Sequence, residues 1–129
     1  MTEQSNCIQK SGEDYLEAIL ILSKKQLTVR SVDLAEFFEY SKPSVSRAVS
    51  ILKNGGFLTM DESGFLRLTD IGSEVAVKIY ERHQFFRDKL IEAGVAPEKA
   101  EKEGCQMEHT ISEDSFQKLK KYTEKSKKN

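Results

Sequence analysis

Three side chains that can bind a metal ion lie close together near the carboxyl-terminal end of this chain. Cys105, Glu108 and His109 stand at positions i, i+3 and i+4, so on a helix they point the same way. A sulfur, a carboxylate oxygen and an imidazole nitrogen on one helix face suit a divalent transition metal. Taken singly, each has an ordinary structural explanation, such as a surface histidine or a small buried cysteine. The combination instead predicts a metal site on this helix.

The composition limits the class of protein. With 129 residues there is room for one ordinary domain, or for two small units that share a core. A formal net charge of −1 means that any surface that binds nucleic acid must be local. No segment approaches the ~18 apolar residues of a membrane span, and the amino terminus lacks the apolar core of a signal peptide. The two cysteines lie far apart and do not suggest a disulfide framework, so we expect a cytoplasmic protein with Cys7 as a free thiol.

Capping residues divide the first part of the chain into three predicted helices. Apolar residues recur at helical spacing over residues 11–22, and residues 28–30 form a short extended piece. Ser31 is expected to cap a second helix. Ser41 is expected to cap a third helix, which ends at Gly55-Gly56.

A β-hairpin is predicted to follow the third helix. Residues 57–60 and 65–68 are short β-type runs, and Asp61-Glu62-Ser63-Gly64 between them has the composition of a turn. The order of helix, extended piece, two helices and hairpin is typical of a winged helix-turn-helix. We therefore expect residues 1–72 to form a DNA-binding domain of this type.

The remainder of the chain is predicted to be helical. A long helix begins at Thr69 or Asp70 and ends at Gly94, a second covers residues 97–109, and Ser112 caps a third. The apolar residues of the long helix that are expected to face inwards are Ile71, Val75, Ile79, Phe86 and Leu90.

These helices are expected to form a metal-binding and dimerization domain over residues 73–129. Their apolar surface exceeds what a unit of this size buries alone, which predicts a two-fold interface and a homodimer. The fold class is thus mostly α with a small β-hairpin: a winged helix-turn-helix followed by an all-helical unit. The apolar residues that predict the interface are Val75, Ile79, Phe85, Phe86, Leu90, Ile111 and Phe116.

The exposed side of the third helix carries small polar and basic groups suited to a major groove. Arg47 can reach O6 and N7 of a guanine, a contact worth about 1–3 kcal/mol of discrimination, and Pro43 can touch a thymine methyl. The alternative is a pair of helices whose serines only cap the helix or lie on its surface. The β-hairpin at residues 57–68 disfavours this alternative. The lysine-rich residues 118–129 are expected to be a solvated helix end, with contact to nucleic acid as the alternative. The residues expected to contact double-stranded DNA at a palindromic operator are Ser41, Lys42, Pro43, Ser44, Ser46 and Arg47.

Several segments, in order and over roughly residues 11 to 121, resemble the DtxR family, which comprises the diphtheria toxin repressor and the manganese transport regulators. The chain is similar to its short form, which lacks the SH3-like third domain. In the amino-terminal half the matching segments are Glu13-Asp14-Tyr15-Leu16-Glu17-Ala18-Ile19, Val32-Asp33-Leu34-Ala35-Glu36 and Ser41-Lys42-Pro43-Ser44-Val45-Ser46. In the other half they are Leu68-Thr69-Asp70-Ile71-Gly72, Glu81-Arg82-His83 and Cys105-Gln106-Met107-Glu108-His109-Thr110-Ile111-Ser112.

The resemblance implies a repressor of metal-uptake genes for which a divalent metal is the corepressor. The metal ties the two units together and selects the arrangement that binds DNA. Cys105 stands where manganese-type members have a glutamate, and Asp14 stands where iron-type members have a methionine. The site thus resembles a hybrid that suits Fe(II) or Mn(II), with Co(II) or Zn(II) possible in vitro. The ligands that the resemblance implies are Asp14, Glu17, His83, Cys105, Glu108 and His109.

Two other functions remain open from the residues alone. One is a metal-independent winged-helix regulator whose metal site is vestigial. The other is a metalloenzyme, but a catalytic metal needs an open coordination position and a nearby acid or base. Every polar group near the motif is already used as a ligand, and nothing resembles a substrate pocket. We therefore expect neither an enzyme nor a small-molecule substrate.

Overall fold

The computed structural model describes residues 12–128, and the chain divides into two compact units, residues 1–81 and 82–129. The division falls within the fourth helix, after the boundary at residue 72 that the sequence predicts. The first unit contains α1 (Gly12–Lys25), α2 (Ser31–Phe38), α3 (Lys42–Asn54), β1 (Leu58–Met60), β2 (Leu66–Leu68) and the start of α4 (Asp70–Glu92). The second contains the end of α4, α5 (Pro97–Met107) and α6 (Glu113–Lys128).

The first three helices pack on a shared apolar core. Leu16, Leu34 and Val45, one from each helix, are buried there. The turn between α2 and α3 is tight, because Glu39 adopts a left-handed conformation with φ of 60° and Tyr40 N donates to Ala35 O. This is the helix-turn-helix predicted from the sequence.

The hairpin forms as predicted, with antiparallel pairing of β1 and β2 in which Thr59 lies opposite Arg67. The Asp61 carboxylate accepts hydrogen bonds from Ser63 N at 2.9 Å and Phe65 N at 3.0 Å, which fixes the turn. The extended piece at residues 28–30 lies beside β2, since Leu66 N donates to Val29 O at 2.7 Å.

The start of α4 is fastened to the turn that follows α3. Thr69 Oγ1 donates to Gly56 O at 2.6 Å and accepts from Gly72 N at 3.1 Å, so Thr69 caps α4. A Cβ atom at Gly72 would overlap the carbonyl oxygen of Phe57. The close approach of α4 to this turn therefore requires glycine.

The second unit packs around three phenylalanines. The ring centroid of Phe116 in α6 lies 5.3 Å from that of Phe85, in an edge-on arrangement, and 5.9 Å from that of Phe86. Gly104 of α5 lies against α4, because a Cβ atom there would be 3.0 Å from Arg87 N. Among the helices of residues 12–128, none is long and apolar enough to cross a membrane.

Several local predictions were wrong. The N-cap of α2 is Arg30, not Ser31, and the Asp33 carboxylate accepts from Arg30 N at 2.8 Å. Ile71 is 60% exposed, because Gly72 and Ala76 face inwards instead. The helix predicted over residues 97–109 ends at Met107.

The apolar residues that predicted a dimer interface are mostly covered within one chain. Ile79, Phe86 and Phe116 are buried, and the other members of that set are partly buried. The large apolar side chains that are exposed after Thr69 are a different set: Ile71, Val77, Ile91, Met107, Leu119 and Tyr122.

Candidate metal centre and nucleic-acid interface

Glu108 lies at the centre of a group of ligand-type side chains in the second unit. It follows α5 directly and keeps helical torsions, with φ of −62° and ψ of −21°. Its backbone N–H donates to Gly104 O at 3.2 Å, so Glu108 caps the end of α5 in helical geometry. Cys105 and Glu108 therefore keep the relation of one helical turn that the sequence predicted.

The Glu108 carboxylate lies between two imidazoles and is fully buried. Its Oε1 is 3.6 Å from His109 Nε2, and its Oε2 is 3.6 Å from His83 Nδ1. Cys105, Glu108 and His109 each offer a ligand atom, and these atoms lie within 4.8 Å of one another. Ligand bonds of about 2.0–2.3 Å place atoms that share one ion within about 4.6 Å of each other. With Cys105 reduced, the residue types present and their spacing, close to this limit, fit a divalent transition metal.

Cys105 is disulfide-bonded in this structure. The sequence did not suggest a disulfide framework, so this bond was not predicted. A thiolate ligand requires the reduced side chain. The prediction that Cys7 is a free thiol falls outside the described residues.

His83 is held from α5 by a residue that the sequence did not single out. Its Nε2 lies 2.5 Å from Oε2 of Glu101. Burial alone lowers the pKa of His83, but the carboxylates of Glu101 and Glu108 raise it to about 10. The same hydrogen bond holds the pKa of Glu101 below its ordinary value. Metal-free His83 is therefore an imidazolium at neutral pH.

Arg82 is a second residue that sequence reasoning missed. Its Nη1 donates to Glu108 O at 3.1 Å and to Ile111 O at 2.8 Å, and its Nη2 donates to the Glu113 carboxylate at 2.8 Å. The guanidinium thus fixes the main chain that carries Glu108. The sequence offered one indication of this role, the position of Arg82 directly before His83. Local spacing does not show that the Arg82 side chain reaches residues 108–113.

Two of the predicted ligands, Asp14 and Glu17, belong to the first unit. They lie one turn apart on α1, and both are buried, with 2% and 6% of their surface exposed. Burial and the nearby Asp14 carboxylate raise the pKa of Tyr15. Buried carboxylates are costly unless charged or polar groups compensate them, which sets this pair apart from ordinary first-turn acids.

The polar face of α3, defined as Ser41, Lys42, Pro43, Ser44, Ser46 and Arg47, is exposed at all six positions. The opposite side of the helix is anchored in the core by Val45 and Val49. Ser41 caps the helix, because its Oγ accepts from Ser44 N at 3.3 Å and donates to Ser44 Oγ at 2.9 Å. The face can therefore present small polar and basic groups to a groove.

Family models match both units. Residues 8–66 match the model described as "Iron dependent repressor, N-terminal DNA binding domain", and residues 69–129 match "Iron dependent repressor, metal binding and dimerisation domain". Both models correspond to the predicted order of a DNA-binding half followed by a metal-binding half.

Two relatives are named as a transcriptional regulator and a repressor, and a similar solved structure is that of a manganese regulator. The chain is 32% identical over 113 residues to the transcriptional regulator MntR of Escherichia coli O6:H1, covering 88% of this chain and 73% of MntR. It is 31% identical over 115 residues to the iron-dependent repressor IdeR of Mycobacterium leprae, covering 88% of this chain and 50% of IdeR. The structure of the manganese regulator SloR superposes with a TM-score of 0.78 at 26% identity, covering 88% of this chain. This chain spans 54% of the SloR chain, about half its length.

Proposed function

Because the chain belongs to the iron-dependent repressor family of metal-dependent transcriptional regulators, we propose that it represses metal-uptake genes with Fe(II) or Mn(II) as its corepressor. The observation that carries the proposal is the convergence of Cys105, Glu108 and His109 in the second unit. This is the unit that matches a metal-binding and dimerisation model.

The proposed ligands come from both units. His83, Cys105, Glu108 and His109 contribute from the second, and Asp14 and Glu17 contribute two buried carboxylates from the first. A metal bound by both sets would tie the two units together and select one arrangement of them. Its positive charge would offset the negative charge of the carboxylates. Such selection of one arrangement is how a small ligand controls a distant binding surface.

The mixture of thiol, carboxylate and imidazole donors affects which metal activates the protein. The five carboxylate and imidazole side chains are compatible with Mn(II), whereas a reduced Cys105 favours Fe(II), Co(II) or Zn(II). Its relatives include both MntR and an iron-dependent repressor. We propose Fe(II) or Mn(II) as the physiological ion, with Co(II) and Zn(II) as usable substitutes in vitro.

The polar face of α3 is proposed to enter the major groove of a palindromic operator. Arg47 and the serines would contact base edges, while Lys42 would contact the backbone. A homodimer would present two copies of α3 to half-sites about 34–36 Å apart. Light scattering at micromolar concentration should therefore report a dimer.

We propose no enzymatic activity, since the six ligand side chains named above are all assigned to the ion. A repressor of this kind acts on chromosomal DNA, so we propose that it works in the cytoplasm. The alternative is a metal-independent winged-helix regulator whose metal site is vestigial.

The deciding experiment measures DNA binding as a function of metal. A random-sequence duplex pool is selected with the reduced protein and Mn(II) or Fe(II) under anaerobic conditions, and the enriched sequence is then titrated with and without a chelator. Metal-dependent binding to a palindrome is the expected result. Equal binding in the presence of the chelator would overturn the corepressor role and favour the alternative.

A further inference from the structure

We infer that Glu101 is a positioning residue for the metal: its carboxylate holds the Nε2–H of His83 and so directs Nδ1 of that imidazole to the ion. The inference rests on the proposed function, because it takes His83 as a ligand. Glu101 was not among the predicted site residues.

The two nitrogens of the His83 ring have different neighbours. His83 Nε2 is engaged at 2.5 Å by Glu101 Oε2, whereas Nδ1 is 3.6 Å from Glu108 Oε2, beyond a good hydrogen bond. Glu108 is the carboxylate that also faces His109. The ring therefore presents Nδ1 to the group of ligand-type side chains and Nε2 to Glu101.

The surroundings of Glu101 suit a supporting role. Its side chain is 49% exposed, whereas that of Glu108 is fully buried, and its other oxygen lies 3.6 Å from Arg87 Nη1. Within residues 12–128, the groups of three or more side chains whose ligand atoms all lie within 4.8 Å of one another do not include Glu101. A carboxylate that accepts the second N–H of a metal-bound histidine fixes the tautomer and makes the imidazole a stronger donor.

The geometry assigns a role to each nitrogen of the ring. An ion held by His83 would need Nδ1 without a proton, and the Glu101 carboxylate would keep the remaining proton on Nε2. Arg87 Nη1, 3.6 Å from the other Glu101 oxygen, adds positive charge beside that carboxylate.

The test uses Zn(II) as a diamagnetic probe of the full chain, reduced and labelled with 15N-histidine. Two-bond 15N–1H spectra of the zinc-bound protein identify which His83 nitrogen is bound and which is protonated. We expect Nδ1 bound and Nε2–H retained in the native protein. Glu101→Ala should lose that single tautomer and weaken Zn(II) affinity by about tenfold to a hundredfold.

Two further variants separate the effect from general charge or folding. Glu101→Gln keeps an acceptor for Nε2–H and should preserve the tautomer with a smaller loss of affinity. Glu98→Gln removes an exposed acid from the same helix and should leave both readouts unchanged. Circular dichroism checks that all three remain folded.

Three results would overturn the inference. One is binding of Zn(II) through Nε2 in the native protein, the second is unchanged affinity and tautomer in Glu101→Ala, and the third is no Zn(II) binding at all. These readouts do not involve DNA. Metal-independent DNA binding would therefore remove the corepressor function while leaving the role of Glu101 intact.

Discussion

Arg82 Nη1 donates a hydrogen bond of 3.1 Å to the carbonyl oxygen of Glu108, while the next residue in the chain, His83, faces the carboxylate of that same glutamate. Two adjacent residues of α4 therefore lie against Glu108, one bonded to its main chain and the other facing its side chain. The guanidinium also donates to the carbonyl oxygen of Ile111, so its hydrogen bonds span the segment between α5 and α6. The metal-binding group depends on this segment for its shape.

Replacing Arg82 should loosen that segment. Arg82→Gln loses the bonds to Ile111 O and to Glu113, and charged hydrogen bonds of this kind contribute about 1.5–3 kcal/mol each. We expect faster amide hydrogen exchange over residues 108–112 and metal affinity weaker by about tenfold or more. Lys89→Gln, which breaks an exposed ion pair on the same helix, is the control. Equal exchange and affinity in both variants would contradict the role of Arg82.

Cys105→Glu should change the ranking of metals. A carboxylate in place of the thiol restores an all-oxygen and imidazole donor set, so the response of DNA binding to Mn(II) should rise relative to Fe(II) and Co(II). In the native protein, Co(II) should give a thiolate charge-transfer band in the near ultraviolet only after reduction of Cys105. With both proteins kept reduced, Cys7→Ser is the control and should leave the band and the ranking unchanged. No band in the reduced native protein, together with an unchanged ranking in Cys105→Glu, would remove Cys105 from the ligand set.

The metal-free protein should lose stability as pH rises through the alkaline range. The pKa of His83 is about 10 in the folded protein against an ordinary value of 6.5, so folding favours the protonated ring. Its contribution is complete below pH 6.5 and is lost as pH rises towards 10. Metal affinity should change in the opposite sense and rise with pH, because the ion displaces a proton. Chemical denaturation across this range, compared with His83→Gln, checks the sign.

Arg47→Ala should weaken specific DNA binding more than non-specific binding. Loss of a base contact costs about 1–3 kcal/mol and relaxes preference at one base pair of each half-site. Lys53→Ala, at the other end of α3, is the control for loss of a positive charge. Titrations of the selected palindrome and of random duplex at one salt concentration make the comparison. An equal loss on both duplexes would make Arg47 a phosphate contact instead.

Gly72→Ala should destabilise the first unit although alanine favours helices. The added Cβ atom overlaps Phe57 O, so α4 or the turn after α3 must move. We expect a loss of about 1–3 kcal/mol in unfolding free energy, the range of overpacked sites. Glu74→Ala, an exposed change in the same turn of α4, should cost far less. A melting temperature equal to that of Glu74→Ala would show that the backbone adjusts freely.

The sequence predicted those features that are encoded locally. Ser41 as a cap and the turn at Asp61 depend on neighbouring residues, and both were confirmed. The end of α5 at Met107 was not predicted, because the next residue is Glu108 and not a glycine or proline that would mark the end of a helix. Glu101 and Arg82 were missed because their partners lie 18 and 29 residues away, where spacing carries no information.

The Ser41 hydroxyl caps α3, and Ser41 also belongs to the exposed face that is proposed to contact DNA. A substitution at Ser41 would therefore affect folding as well as the choice of operator. Ser46 and Arg47, by contrast, are exposed beyond the first turn of the helix. Descendants of this protein that acquire new operators should thus diversify at Ser46 and Arg47 while keeping a capping residue at Ser41. The same asymmetry tells an engineer which positions of the helix to randomise first.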